Sequence, residues 1–158
     1  MKIITFLTVL SFLIFFPSLG FAKNELVMQK EVLNYSQMGI GDQACMELII
    51  IQEGRDVPDM RNENCAFSEG KFNVTLSGPP GTTVTFFGKD GFKKGNGFLT
   101  IKKKDDRMLW LWDLISFPAG QWHTSEANNN SGAFEAFYNS SPTFEQSVSS
   151  VKWGDQVQ

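Results

Sequence analysis

The chain is short of the residues from which most enzyme chemistry is built. It has one histidine, two cysteines and two tyrosines in 158 residues. A single histidine excludes a multi-histidine metal centre and leaves only His123 for any nucleophile–base pair. Neither Gly-x-Ser-x-Gly nor His-Glu-x-x-His occurs, so the common nucleophile and zinc-helix signatures are missing. Charge of one sign is scarce as well: 14 Lys and Arg stand against 17 Asp and Glu, a formal net charge of −3. Phosphate backbones bind clustered Lys and Arg. The one such run, Lys102-Lys103-Lys104, is followed at once by Asp105-Asp106. It reads as a solvated strand end, and nucleic acid is excluded as a partner.

Long apolar runs are confined to the N-terminus. Lys2 precedes an uncharged stretch from Ile3 to Phe16, Pro17 breaks it, and Gly20-Phe21-Ala22 offers small residues for cleavage. That layout is a secretory signal peptide over residues 1–22. The continuous run is shorter than the roughly 20 residues that span a bilayer, so no membrane association is expected after cleavage. Residues 23–158 have the length of one domain, secreted or periplasmic. In that compartment Cys45 and Cys65 are expected to form one disulfide. Nineteen residues lie between them, and closing such a loop stabilises by about 3 kcal/mol in the chain-entropy model.

What is abundant is strand-forming sequence between turn signals. Thr83-Val84-Thr85-Phe86-Phe87 alternates β-branched and aromatic residues; Gly88 and Lys89-Asp90-Gly91 break it; Gly97-Phe98-Leu99-Thr100-Ile101 resumes. This predicts a hairpin with phenylalanines for one buried face. Cys45–Ile51, Lys71–Leu76, Gln121–Thr124, Gly132–Tyr138 and Val148–Trp153 read as further strands. Ser77-Gly78-Pro79-Pro80-Gly81 is a strong turn. Glu25–Leu33 is either a short amphipathic helix or an edge strand, and Arg107–Ile115 either a buried strand or a short helix. Turns recur every 8 to 15 residues, and the fold class expected is all-β: an antiparallel Greek-key β-sandwich in a single domain.

Residues 82–153 resemble a βγ-crystallin Greek-key domain. Phe87-Gly88-Lys89-Asp90-Gly91-Phe92 has that family's aromatic spacing, with the following glycine at Gly95, one position late. Glu145-Gln146-Ser147-Val148-Ser149-Ser150, leading into Val151-Lys152-Trp153, has its Ser-Ser-strand ending. The resemblance divides the chain into an N-terminal β extension with the disulfide loop (23–81) and a crystallin-like region (82–158), together one compact domain. It implies a Ca²⁺ site at Glu145, Ser147 and Ser149. Glu145 and Gln146 stand there in place of the shorter Asn or Asp.

Among chemistry-bearing residues, Trp122, His123 and Glu126 lie together and form the candidate ligand site, Trp122 as an exposed aromatic platform. Trp110, Trp112, Trp122 and Trp153 all fall in the final third of the chain, and at least two of them are expected in the core. The function expected is an exported, non-catalytic module binding a protein or glycan. Two alternatives stay open: an inhibitor of a protease or other hydrolase that uses the loop Arg55–Asn64, and a small hydrolase that uses His123 and a carboxylate.

Overall fold

The computed structural model describes residues 24–31, 48–63, 71–142, 144 and 148–156. Cys45, Cys65, Glu145, Ser147 and the N-terminal run lie outside the described residues. Among the described residues the chain is all-β, with nine strands: β1 (Glu25–Glu31), β2 (Ile49–Gln52), β3 (Lys71–Leu76), β4 (Thr83–Phe87), β5 (Phe98–Lys103), β6 (Leu109–Leu111), β7 (Trp122–Ser125), β8 (Phe134–Asn139) and β9 (Ser150–Trp153). They form two sheets, ordered β2-β1-β3-β6 and β7-β8-β5-β4-β9, antiparallel throughout.

Alternation explains the layout. In the four-stranded sheet Leu26, Met28, Ile49, Ile51, Phe72, Val74, Leu76, Leu109 and Leu111 point inward; in the five-stranded sheet Val84, Phe86, Leu99, Ile101, Ala136 and Val151 do so, and all join one core. Period-2 placement of apolar side chains is what lets one face of each sheet bury against the other. The ambiguous Glu25–Leu33 stretch is a strand. It sits inside the four-stranded sheet rather than at an edge, between β2 and β3. Of Arg107–Ile115 only Leu109–Leu111 is strand, and it pairs with β3. A strand from residues 82–158 thus completes the sheet built by strands of residues 23–81.

The β4–β5 hairpin differs from the expectation of one buried phenylalanine face, because both of its faces are covered. Phe86 enters the inter-sheet core, while Phe87 and Phe98, opposite one another, face the other way and are also buried. The connecting turn folds back over them. Phe92 stands edge-on to Phe87 at 5.9 Å, and its backbone φ of +60° is uncommon for a residue with a Cβ. Its N–H donates to Ser150 Oγ at 3.1 Å, which fixes the turn to β9. The turn closes so tightly that a Cβ on Gly88 would lie 2.0 Å from the Asn96 carbonyl oxygen.

Lys103 corrects the reading of residues 102–104 as a solvated end. It shares the inward parity of Leu99 and Ile101, is fully buried, and its Nζ donates to the Arg107 carbonyl. Burial pulls its ammonium below the usual lysine value, with Asp105 and then Asp106 opposing the shift.

Candidate binding face

The sequence-predicted cluster is not gathered on one surface. Trp122 lies opposite Phe137 and His123 opposite Ala136, so the two side chains leave opposite faces of β7. Trp122 joins an aromatic row on the outer face of the five-stranded sheet: Phe92–Phe87–Phe98–Phe137–Trp122, with neighbouring ring centroids 5.6 to 6.3 Å apart. His123 turns toward the core side, with its ring 5.9 Å from Phe117. Glu126 follows the strand and is exposed.

Most of that aromatic row is sealed. Thr85 and Thr100 beneath it are fully buried, and Lys94 and Lys152 lay their ammonium groups 5.4 and 5.5 Å from the centres of Phe98 and Phe92. Lysine over an aromatic face is a cation–π arrangement that leaves little open ring. Trp122, 42% exposed, is the accessible end.

Of the proposed cation ligands, the described one is Ser149. Its hydroxyl donates to the Gly88 carbonyl at 3.2 Å, which ties β9 to the hairpin turn. Among the described residues no group of three or more His, Cys, Asp or Glu side chains is arranged to hold a metal ion.

The open surface is elsewhere. Six large apolar side chains are exposed among the described residues: Leu48, Ile50, Met108, Trp110, Trp112 and Trp122. The first five lie in or next to β2 and β6, and their parity puts them on the outer face of the four-stranded sheet. Register makes this a continuous surface. Ile50 is opposite Val27, Val27 opposite Thr75, and Thr75 opposite Trp110, a row across all four strands. Trp110 and Trp112 stack on one another at 4.6 Å, and Trp112 remains 60% exposed and Leu48 53%. The expectation of at least two tryptophans in the core is therefore not met: Trp110, Trp112 and Trp122 face solvent, and Trp153, partly buried, packs against the core. The signal available in sequence was apolar residues at both parities, as in Leu48-Ile49-Ile50-Ile51 and Met108-Leu109-Trp110-Leu111-Trp112. That pattern also fits a strand buried on both faces.

The loop expected to project as an inhibitor is fastened down. Val57 and Val151 exchange backbone hydrogen bonds at 2.8 and 2.9 Å, and Met60 N–H donates to the Ser149 carbonyl at 2.8 Å. Val57 and Met60 are buried, so residues 55–63 run as a strap along β9. Asp59 accepts from the Arg61 guanidinium and backbone N–H, and these bonds hold its carboxyl below the usual range.

No protein-family model, curated protein or solved structure matches the chain.

Proposed function

We propose that this protein is an exported, non-catalytic binding module, and that the outer face of its four-stranded sheet takes the apolar surface of a protein partner. The supporting observation is the concentration of exposed Leu48, Ile50, Met108, Trp110 and Trp112 on that one face. Contiguous apolar patches of this kind mark interaction sites on folded proteins, and Trp is enriched at their centres. A protein surface fits better than a glycan. The two indoles stack on each other rather than spreading side by side as a sugar platform, and the other exposed apolar residues of the face, Met108 beside them and Leu48 and Ile50 at the opposite edge, are not aromatic. The reading takes the two sheets as a β-sandwich, residues 1–22 as a cleaved signal peptide, and Cys45–Cys65 as a disulfide. It does not depend on a Greek-key or βγ-crystallin kinship.

The test places a photo-crosslinking amino acid at Trp112 and, separately, at the exposed Lys93 in the β4–β5 turn, in the cells that export the protein. The expected result is a discrete protein adduct from position 112 that is lost when Ile50→Asp is added. Stability should stay within about 0.5 kcal/mol, as for ordinary surface substitutions. No adduct at 112, or equal adducts at both positions, refutes the reading. Trp112-dependent binding to immobilised glycans with no protein adduct replaces the partner class.

A further inference from the structure

Two sheets of this kind have four edges, and three of them are closed. Along β9 runs the strap of Val57 to Met60. On β6, Trp110 N–H donates to Ser131 Oγ at 2.9 Å, and the Met108 carbonyl accepts from Gly132 N–H at 2.9 Å. On β2, Arg55 takes the two outward carbonyls: its backbone N–H donates to Gln52 at 2.9 Å and its guanidinium to Ile50 at 3.3 Å. A charged side chain across an edge is a usual guard against further pairing.

Among the described residues β7 has no such guard. Trp122, His123 and Thr124 are exposed and Ser125 is half-buried; the strand carries no lysine, carboxylate or proline. Its backbone direction follows from its neighbours. Gly120 N–H donates to the Tyr138 carbonyl, and Lys104 N–H to the Ala133 carbonyl. Even-numbered residues of β8 therefore turn their backbone groups toward β7 and odd-numbered ones toward β5. His123 and Ser125, opposite Ala136 and Phe134, are the hydrogen-bonded positions. Trp122 and Thr124 turn their N–H and C=O groups away from the sheet.

We infer that the β7 edge is a strand-pairing surface whose occupant is β7 of a second copy, joined antiparallel about a two-fold axis into one continuous sheet. The geometry selects the register. Residues opposite one another across an antiparallel pair share a face, so outward Trp122 must meet an outward residue of the second copy. Centring the axis on His123 places Trp122 opposite Thr124 of the other copy, twice, with both pairs using the outward backbone groups. It brings no two charged side chains together, since Glu126 then meets Gly120. It also extends the aromatic row of each copy with an aromatic–threonine pair. A shift of the axis to Thr124 would set the Glu126 carboxylate against Trp122. This surface is separate from the apolar face of the four-stranded sheet.

Sedimentation velocity of the purified protein over a wide concentration range tests the inference, together with amide exchange resolved at β7. A dimer is expected, with exchange at the Trp122 and Thr124 amides slowing as concentration rises. Thr124→Pro removes an outward donor and no bond to β8, and edge strands tolerate proline. With two of the four interface hydrogen bonds lost per dimer, it should weaken association about tenfold or more. A protein that stays monomeric at every concentration overturns the inference. So does a dimer that leaves the two amides unprotected, and so does one that survives Thr124→Pro but is broken by Ile50→Asp.

Discussion

Which sheet face is free to bind depends on how firmly the other is sealed, and a pair of buried hydroxyls measures that seal. Thr85 Oγ1 and Thr100 Oγ1 lie 2.9 Å apart beneath the aromatic row, and Thr85 Oγ1 donates to the Gly154 carbonyl at 3.1 Å. Each hydroxyl has one proton. Thr85 spends its proton on Gly154, so Thr100 must be the donor to Thr85. The chain of bonds has a direction, and the two substitutions to valine cannot be equivalent. Thr85→Val orphans two groups, the Thr100 proton and the Gly154 carbonyl. At about 1–3 kcal/mol for each buried unsatisfied group, with Gly154 partly reachable by water, the loss should total about 2–4 kcal/mol. Thr100→Val leaves Thr85 still bonded to Gly154 and should cost only about 1 kcal/mol. The double variant orphans Gly154 alone, so the single effects should exceed the double by about 1–2 kcal/mol. Urea unfolding of the four proteins at a common slope gives the cycle. If Thr100→Val costs as much as Thr85→Val, or if the effects add, the directed chain is wrong. The outer face of the five-stranded sheet would then be wet enough to compete as a binding surface.

Two further outcomes follow from the same region. Gly88→Ala forces a Cβ against the Asn96 carbonyl oxygen at 2.0 Å, a backbone atom that cannot step aside, and should destabilise by about 3 kcal/mol or more. Gly95→Ala, with open space around it, should stay within about 0.5 kcal/mol in the same unfolding assay; equal effects would mean the turn is not closed as described. For Lys103 the native value lies below that of the unfolded chain, so between the two the unfolded state binds more protons and stability rises with pH, levelling above about 10.5. Urea midpoints taken through that alkaline window should climb in the wild type and lose that climb in Lys103→Met; an unchanged slope in the variant would assign it to another group.

The strands at 71–76, 83–87 and 98–101 could be found from sequence because alternation of apolar and polar or β-branched residues is a local property. Lys103 could not. Its flanking charges read as solvent exposure, whereas strand parity, counted from Leu99 and Ile101, sends it inward. Residues 25–31 were ambiguous because a strand with neighbours on both sides need not alternate cleanly: Val27 lies on the outer row, yet it is as apolar as the inward Leu26. The exposed face was hidden for a related reason. Ile50 and Trp110 look in sequence like residues buried on both sides, and only the sheet order shows that nothing among the described residues lies over them. The opposite faces of Trp122 and His123 were within reach, since adjacent strand residues always diverge; proximity in sequence concealed it.

The position of β9 has a temporal consequence. Residues 150–153 are the last strand among the described residues, yet they hold partners made much earlier: β4 on one side, and on the other the strap, where Asp56 accepts from Trp153 N–H across a separation of 97 residues. Until those four residues emerge, the outer edge of β4 is bare and the strap has nothing to lie along. The protein cannot mature from its N-terminus forward as it is made. Closure of the five-stranded sheet and of the strap waits for residues 150–153 and then depends on contacts of long sequence separation, which slows folding and leaves the earlier strands open to capture or cleavage until β9 has been made.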